Sequence, residues 1–478
     1  MRHLFLMRHA KAKQGSGDMT DHQRPLSKRG RRQAAAMAVP LQRWRALEGM
    51  VYSSDATRTR ETLDEIAGQL TELSQPELPL AERARLDEAL YTFDGQALLA
   101  WLKHLPDEAD RVLVIGHNPA LLELAEWLCG EAPGDLPTGG LLHLTLTEAP
   151  WQSVARHGAH LVASLVPETA SHALFQRRAP EPPNPDKADL DQRIRERLTH
   201  QSRMIRALEP GVIAGVDPEF LHQYRVNLRR SRAIGESVLA TARRSGNKKK
   251  ANNKVPGLKK QLKRLKQGAQ ATSDLRDLDV FLESLDTTPP PLSPRPRRDL
   301  QRWLHARHHA HHEALCQQLN DRDYAEAMLD WQRYLASKAF QQALGRLSSK
   351  RIEAVLAERI ATHDRDLAVI SSESDDEAFH DLRKCVKRIR YLAELEPRRH
   401  RDFLAGLKHR QTLLGDFQDL CARQAWIEAF AGDARNAPRR REECDAWRTA
   451  LEKEKLALRE EIMALAPLAV LSSPSLKT

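Results

Sequence analysis

Residues 5–12 read FLMRHAKA, and this stretch decides the fold of the N-terminal part of the chain. An apolar run from Leu4 to Met7 stops at Arg8 and His9, after which polar and glycine residues follow. A short apolar run with such boundaries predicts a buried β-strand. Because the strand ends in a guanidinium and an imidazole, we expect it to present both groups to an anion.

The alternation of short apolar runs with helical patterns continues to about residue 170. Runs such as MVYS and RVLVIG are separated by stretches with helical periodicity, which predicts an α/β domain over residues 1–170. Residues 171–188 are rich in proline and charge and predict an interdomain linker. Residues 189–470 are nearly all helix formers, interrupted by RRSGNKKKANNKVPG and TTPPPLSPRP, and predict an all-α domain.

Charge is distributed unevenly over these two domains. The 478 residues contain 75 Lys and Arg against 65 Asp and Glu. Up to Arg178 there are 20 basic and 22 acidic residues, whereas the remainder of the chain has 55 and 43. A basic excess confined to the helical part predicts that this part binds a polyanion, because a surface of one sign concentrates the opposite charge.

Cysteine spacing and hydropathy indicate the compartment. The five cysteines show no CxxC spacing, which argues against a disulfide framework or a zinc site. They are Cys129, Cys316, Cys385, Cys421 and Cys444. No run of about 18 apolar residues is present, and the apolar part of the N-terminus is too short for a signal peptide. We therefore expect a cytoplasmic protein that does not enter a membrane.

The helical part contains an internal repeat. HQYRVNLRRSR at residues 222–232 and HDLRKCVKRIR at residues 380–390 share the pattern H-x-x-R-x-x-x-[RK]-R-x-R at every spacing. Each copy is followed by a looser match, SDLRDLDVFL from Ser273 and GDFQDLCARQ from Gly415. The pattern predicts two tandem copies of one helical unit.

Arg58 and His117, like Arg8 and His9, lie just after apolar runs that predict β-strands. Arg58 lies just after the run MVYS, where a helix begins, and His117 directly follows VLVIG. Ligands of open α/β sheets bind at the carboxyl ends of the strands, so we expect these side chains and the strand-end pair in one pocket. Asn118 is expected to cap the next helix, with Pro119 at its first position.

The combination of N-terminal motifs resembles the histidine phosphatase (phosphoglycerate-mutase-like) superfamily, and among its branches the SixA-type phosphohistidine phosphatases. The motifs are RHA at residues 8–10, RPLSKRG at residues 24–30, the S-x-x-x-R-[AT]-x-x-T pattern around Arg58, and GHNP at residues 116–119. The resemblance implies a three-layer α/β fold. It also implies an enzyme that hydrolyses a phosphohistidine or a phosphomonoester without a metal or other cofactor.

The resemblance also implies a role for each matched residue. His9 would act as the nucleophile and take up the phosphoryl group, and water would then release phosphate. The residues implied to bind the phosphoryl oxygens are Arg8, Arg58 and His117. Glu88 lies where larger members of the superfamily carry a general acid, and Asp87 is an equal candidate. Arg24 is a candidate for a further phosphate contact.

The repeated motif of the helical part places its basic residues along one side of a helix. At 100° per residue, the first, fourth, eighth and eleventh positions of each copy fall within about 80° of one another. In the second copy, apolar residues such as Leu382 and Ile389 occupy a separate sector that we expect to be buried. Two basic stripes related by a repeat would line one concave surface.

These motifs and their flanking segments resemble the CHAD family, the conserved histidine α-helical domain. The resemblance covers residues 189–470 and implies two tandem helical bundles related by a pseudo-twofold axis, with a basic channel that binds inorganic polyphosphate. TSDLRD in the first copy stands where a leucine and a glycine are expected, so we expect altered helix packing there. The implied contacts are His222, Arg225, Arg229, Arg230, Arg232, Lys266, His380, Arg383, Lys387, Arg388, Arg390 and Lys408.

A linear polyanion is the partner that the two stripes favour. Many Lys and Arg side chains against a repeating phosphate chain release condensed counterions, which gives affinity with a steep salt dependence. Nucleic acid carries similar charge, but its bases are recognised by aromatic side chains beside the basic ones. Aromatic residues make up only 5% of this chain, so inorganic polyphosphate is favoured over nucleic acid.

Alternatives stay open for both domains. The N-terminal pocket could instead hydrolyse phosphoanhydrides of polyphosphate or nucleotides, or the protein could be a non-catalytic polyphosphate-binding scaffold. HARHHAHHE at residues 305–313 spaces histidines by four, which suits a zinc or nickel site or an exposed helix face. The exposed face is favoured because no second ligand set accompanies these histidines. Fusion of the two domains predicts association with polyphosphate granules.

Overall fold

A computed structural model describes residues 1–15, 17–72, 80–130, 134–147, 150–184, 188–243, 255–433 and 438–472. The chain forms two compact units. The first consists of Met1–Ala179 and Pro210–Phe220, and the second of Pro180–Glu209 and Leu221–Thr478. Within the described ranges, every helix is too short or too polar to cross a lipid bilayer.

The first unit is built on a six-stranded mixed sheet. Its strands are β1 (Arg2–Arg8), β2 (Met50–Ser54), β3 (Arg85–Asp87), β4 (Arg111–Gly116), β5 (Leu141–Leu146) and β6 (Ala159–Leu165). They are ordered β3-β2-β4-β1-β5-β6, with β1 to β4 parallel and β5 antiparallel to both β1 and β6. The carboxyl ends of β1, β2 and β4 therefore meet at one edge of the sheet, as the sequence predicts.

Helices cover both faces of this sheet, which makes the first unit three-layered. They are α1 (Lys28–Arg43), α2 (Thr57–Glu72), α3 (Leu80–Arg83), α4 (Gly95–Leu102), α5 (Ala120–Cys129), α6 (Pro167–Ala170) and α7 (His172–Phe175). Along β1, Leu4 and Leu6 pack in the core beneath α4 and α5, while Phe5 and Met7 pack in the core beneath α1 and α2. The sheet with helices on both faces confirms the predicted α/β class. Because β1 is buried on both faces, its residues from Leu4 to Met7 are all apolar.

Close backbone approach at the start of α1 explains the glycine of RPLSKRG. Ser27 caps α1, and its Oγ accepts a hydrogen bond of 3.1 Å from the Gly30 N–H. A Cβ atom at Gly30 would lie 2.2 Å from the carbonyl oxygen of Lys11, a distance that no side chain tolerates. This contact fixes the loop after β1 against α1, and that loop lines the site described below.

The second unit is all-helical in the described residues. The helices that form it, wholly or in large part, are α8 (Leu190–Ala214), α9 (Pro218–Arg243), α10 (Leu258–Ala271), α11 (Ser273–Thr287), α12 (Pro294–Asn320), α13 (Arg322–Ala336), α14 (Lys338–Leu344), α15 (Ser349–Val369), α16 (Asp376–Ala393), α17 (Arg401–Ala431), α18 (Pro438–Met463) and α19 (Leu468–Ser472). The predicted all-α class is confirmed, and the arrangement in two bundles related by a pseudo-twofold axis stays a prediction.

The two copies of the repeat differ at one helix. In the second copy α17 continues without a break through Gly415, whereas in the first copy α10 ends before Thr272 and α11 begins after it. Arg225 Nη1 donates to Thr272 Oγ1 at 2.7 Å and lies 3.4 Å from Ser273 Oγ. The hydroxyl groups that replace a leucine and a glycine therefore bind an arginine at a helix break, which is the altered packing expected for TSDLRD.

The predicted linker is shorter than expected. Residues 171–179 belong to the first unit, because His172 and Phe175 are buried and the His172 N–H donates to Asp217 Oδ2 at 2.8 Å. Most of the loop RRSGNKKKANNKVPG lies outside the described residues. The second predicted loop, TTPPPLSPRP, separates α11 from α12.

Candidate active site and anion-binding groove

His9 directly follows β1, and its hydrogen bonds determine which ring nitrogen is nucleophilic. Its Nδ1 lies 2.8 Å from the carbonyl oxygen of Ala10, and since a carbonyl oxygen only accepts, Nδ1 carries the proton. Nε2 therefore has the lone pair, and Arg58 Nε donates to it at 3.2 Å. Burial and, to a smaller extent, the guanidiniums of Arg58 and Arg8 lower the pKa of His9 to about 4, so the ring is neutral near pH 7.

His117 directly follows β4, with its ring centroid 5.2 Å from that of His9. Arg58 Nη2 lies 3.2 Å from its Nδ1, which must accept, because a guanidinium only donates. The other nitrogen, Nε2, therefore donates to Ser54 Oγ at 2.9 Å. Burial lowers the pKa of His117 to about 3, with further contributions from His9 and Arg58, so this ring is also neutral near pH 7.

Two arginines supply the positive charge of this pocket. Arg58, in the first turn of α2, is 3% exposed and donates to both imidazoles. Arg8 ends β1, and its Nη1 donates to the carbonyl oxygen of Leu136 at 2.9 Å. The Arg8 Nε is buried and has no hydrogen-bond partner among the described residues. The structure thus brings together the four strand-end residues that the sequence singles out.

A second cluster of positive charge lies in the helical unit. Arg229 on α9 and Arg383 and Lys387 on α16 make no hydrogen bond or ion pair with any other described residue. The Nε atoms of both arginines are buried. Burial and, to a smaller extent, Arg383, Arg229 and Arg225 lower the pKa of Lys387 to about 7, while Asp419 opposes the change. The basic stripes of the two copies are therefore close enough to repel each other, and we call the region between them the groove.

Two matching carboxyl groups border this groove. Asp277 on α11 and Asp419 on α17 occupy equivalent positions of the looser repeat, and burial raises the pKa of both. Arg383 opposes the change at both carboxyl groups, and Asp419 reinforces it at Asp277. The four cations Arg225, Arg229, Arg383 and Lys387 exceed these two carboxyl groups, so the groove stays positive.

Two family models match the chain. The model of the histidine phosphatase superfamily (branch 1) matches residues 4–134, which include His9, Arg58 and His117, and the CHAD domain model matches residues 196–428. The chain belongs to the histidine phosphatase superfamily and carries a CHAD domain. Both resemblances predicted from the motifs are confirmed.

Relatives of the phosphatase domain occur in distant organisms. The chain is 31% identical over 137 residues to an uncharacterized chloroplastic protein of Arabidopsis thaliana, a match that spans 27% of this chain and 60% of the relative. It is 30% identical over 173 residues to an uncharacterized protein of Mycobacterium leprae, spanning 34% of this chain and 99% of that protein. The chain thus spans about three fifths of the plant relative and nearly all of the mycobacterial one.

Each domain also has similar solved structures. The protein histidine phosphatase SixA complexed with tungstate is 27% identical, with a TM-score of 0.29, and the match covers 34% of this chain and 97% of that chain. The CHAD domain from the plant Ricinus communis is 21% identical, with a TM-score of 0.46, over 60% of this chain and 96% of that chain.

The two acids predicted as proton donors of the phosphatase domain make no hydrogen bond to His9 or His117 among the described residues, and their role stays a prediction. Glu88 is exposed and begins a 3-10 turn after β3. Asp87 is used structurally, because its carboxylate caps a 3-10 turn by accepting from the Ala89 N–H and also accepts from Trp101 Nε1 at 2.8 Å.

The cap predicted for α5 is wrong, and three residues of the phosphatase pocket were missed. Asn118 Nδ2 donates to the carbonyl oxygen of Leu136 at 2.9 Å, and α5 begins at Ala120 without a side-chain cap. The missed residues are Asp21, Ser54 and Tyr91. None of them belongs to a periodic pattern, although Ser54 is the first residue of the S-x-x-x-R motif.

The remaining residues of the CHAD motif differ in their surroundings. Arg232 forms an ion pair with Glu236 at 3.4 Å, and Arg390 forms one with Glu394 at 2.7 Å. His380 Nδ1 contacts Gln418 Oε1. Four further predicted contacts are exposed, namely Arg230, Arg388, Lys266 and Lys408. His222 is half-buried near the start of the first stripe.

Arg230 and Arg388 each lie 100° around the helix from the preceding motif residue, Arg229 or Lys387. Arg230 lines a cavity of about 370 Å³ with Arg193 and Arg197. Arg388 is close enough to Arg359 to lower its pKa, although burial is the larger cause. Their contact with a polyanion stays a prediction.

The histidine-rich stretch lies on α12. His308 Nε2 contacts Asp279 Oδ1 at 2.8 Å, and His312 Nε2 lies 3.6 Å from Cys316 Sγ. Among the described residues, no three His, Cys, Asp or Glu side chains are arranged to hold a metal ion.

We predict that kcat/KM for phosphate release by the phosphatase domain falls only at an unusually low pH on the acid side of its pH profile. With neutral His9 as the predicted nucleophile, its pKa of about 4 means that kcat/KM stays flat from pH 7 to about pH 5 and falls as pH drops through 4. The measurement is the pH profile of kcat/KM, with the titration of the substrate determined separately by ³¹P NMR. A fall in kcat/KM near pH 6.5 that the substrate does not explain would contradict the lowered pKa of His9.

Proposed function

We propose that the N-terminal domain is a phosphohistidine or phosphomonoester phosphatase with His9 as nucleophile, and that the CHAD domain binds inorganic polyphosphate. The observation that carries the first half is the lone pair of His9 Nε2, which faces a buried guanidinium while the Ala10 carbonyl holds the other ring nitrogen. A neutral imidazole beside concentrated positive charge is what phosphoryl transfer to nitrogen requires.

In the proposed reaction, His9 Nε2 forms a bond to phosphorus while the bond from phosphorus to the leaving group breaks. Arg8 and Arg58 bind the equatorial oxygens and neutralise their charge. Water then attacks the phosphohistidine, phosphate leaves and His9 regains its lone pair. A dianionic phosphoryl group also offsets the guanidinium charges beside His117, which favours a protonated His117 that donates to a phosphoryl oxygen.

The leaving group favours phosphohistidine as the substrate. Among the described residues, no carboxyl group makes a hydrogen bond to His9 or His117, which favours a leaving group that is easily protonated. The imidazole released from a phosphohistidine is such a group. The substrate would then be a phosphorylated protein or a small phosphoramidate.

The unpaired cations of the CHAD groove support polyphosphate binding. Burying a charge without a hydrogen-bonded partner is costly, yet the side chains of Arg229, Arg383 and Lys387 make no hydrogen bond or ion pair with a described residue. The carboxyl group of Asp419 offsets only part of the charge of Arg383 and Lys387. Phosphate oxygens would satisfy the buried Nε–H groups of both arginines and neutralise the repulsion between the two stripes. A flexible chain with one charge per phosphate can reach all of these groups at once.

The fusion suggests how the domains serve each other. Polyphosphate binding would hold the phosphatase domain at polyphosphate-rich bodies in the cytoplasm and raise its concentration there. Hydrolysis of phosphoanhydrides, including polyphosphate itself, is the alternative activity, and a scaffold with an idle pocket is the non-catalytic alternative.

We predict that phosphate release depends on His9. The full chain is incubated with phosphohistidine, a phosphomonoester, a nucleoside triphosphate and polyphosphate, and His9→Ala is expected to lower the rate by about 10³-fold or more because the nucleophile is removed. Faster release from polyphosphate than from phosphohistidine would favour the alternative activity. Without His9-dependent release from any of the four, only the scaffold would stand.

We predict that polyphosphate affinity depends on the unpaired cations. Arg229→Ala combined with Arg383→Ala is expected to weaken binding about 10- to 100-fold at 0.1 M salt and to make its salt dependence shallower, because fewer counterions are released. Lys350→Ala combined with Lys453→Ala removes the same charge from exposed positions outside the motif and is the matched control. Titration calorimetry at several salt concentrations gives both quantities. Equal losses in the two double variants would rule out the groove.

We predict that polyphosphate binding takes up a proton at Lys387. Its pKa of about 7 leaves it mostly neutral at pH 8 in the free protein, and the negative charge of the bound chain raises the pKa so that it becomes protonated. Calorimetry in buffers of different ionisation enthalpy should show uptake approaching about one proton at pH 8 and none at pH 6. Lys387→Arg is always charged and should abolish the uptake while binding persists. Uptake that survives in this variant would assign the proton elsewhere.

A further inference from the structure

Asp21, in the loop between β1 and α1, accepts hydrogen bonds from three side chains. Its Oδ2 accepts from Arg58 Nη2 at 3.0 Å and from the Tyr91 hydroxyl at 2.9 Å, and its Oδ1 accepts from Arg24 Nη1 at 2.8 Å. Its backbone carbonyl accepts from Arg58 Nη1 at 2.6 Å. A single residue thus makes two contacts to the arginine at the centre of the pocket.

The loop that carries Asp21 is itself anchored. The side chains of His22 and Asp55 are 2.9 Å apart, and the Thr57 N–H donates to the His22 carbonyl oxygen at 3.0 Å. Arg24 Nε donates to the carbonyl oxygen of Lys13 at 2.9 Å. These contacts fix the position of the Asp21 carboxylate relative to β2 and α2.

The hydrogen bonds of Arg58 divide its guanidinium into two sides. Nε and one N–H of Nη2 point to His9 Nε2 and His117 Nδ1, both at 3.2 Å. Nη1 and the other N–H of Nη2 point to Asp21. Because the donors of a guanidinium lie in one plane at fixed angles, the contacts to Asp21 set the direction of the donors on the opposite side.

We propose that Asp21 is a positioning residue that orients the guanidinium of Arg58, so that its Nε–H and one Nη2–H point at the phosphoryl oxygens. This inference rests on the proposed phosphatase function. Oxygens of the phosphoryl group replace His9 Nε2 and His117 Nδ1 as acceptors, while the bonds to Asp21 persist. Asp21 does not touch the phosphoryl group in this arrangement, so it acts through Arg58.

The charge of Asp21 suits this role. The hydrogen bond from Arg24 is the largest cause that lowers the pKa of Asp21, with Tyr91 and Arg58 adding to it, and the resulting pKa is about 2. The carboxylate therefore stays ionised over the working pH range and makes charge-assisted hydrogen bonds to both arginines. An ionised group of this kind is not a proton donor, which separates Asp21 from the general acid expected at Glu88.

Replacement of Asp21 tests the proposal. Asp21→Ala is expected to raise KM and the inhibition constant of inorganic phosphate by about tenfold each, because Arg58 loses its orientation towards both ligands. Asp18→Ala removes the same charge from the same loop at an exposed position and should change both constants by less than twofold. With Arg58→Lys as background, Asp21→Ala should add less than about threefold, because a lysine has no plane to orient.

Crystal structures of the full chain and of Asp21→Ala, each with tungstate, give a readout that does not depend on turnover. We expect the Arg58 guanidinium to face the oxyanion with Nε and Nη2 in the natural protein and to be turned in the variant. An unchanged Arg58 and an unchanged phosphate inhibition constant would overturn the proposal even if the enzyme is active. Conversely, a turned Arg58 in a protein without His9-dependent turnover would uphold the positioning role and refute the proposed phosphatase function.

Discussion

The pocket of the phosphatase domain depends on the hydrogen bonds that the buried guanidinium of Arg58 donates. It donates to His9 and His117 from one side and to Asp21 from the other, so it joins the ends of β1, β2 and β4 to the loop after β1. The same charge helps to keep both imidazoles neutral, which preserves the lone pair of the nucleophile. One residue thereby determines the geometry of the pocket and the protonation state of its histidines.

The CHAD groove uses positive charge in a different way. Arg58 has acceptors for its donors within the protein, whereas Arg229 and Arg383 have buried Nε–H groups without a partner among the described residues. A pre-oriented arginine suits a site that must align one phosphoryl group for reaction. Unpaired cations that repel one another suit a site that gains free energy from the charge of any long phosphate chain.

The two copies of the CHAD repeat are unequal, although their motifs match at every spacing. Arg225 is bound at the helix break at Thr272, while its counterpart Arg383 has no hydrogen bond to a described residue. Arg229 corresponds to Lys387, the group whose pKa lies closest to neutrality within the groove. The copies therefore offer one wall with permanent charge and one wall whose charge depends on pH, because an arginine does not lose its proton and a crowded lysine does.

The sequence by itself determined the α/β and all-α classes and the pocket residues Arg8, His9, Arg58 and His117, because these follow from periodicity and from the ends of strands. It also indicated the basic stripes through helical spacing. Only the tertiary structure decided that Asp21 contacts Arg58, that Glu88 is exposed and that Arg230 lines a cavity with Arg193 and Arg197. The physical reason is that these facts depend on distances between residues remote in the chain, and on loop conformations that no local pattern encodes.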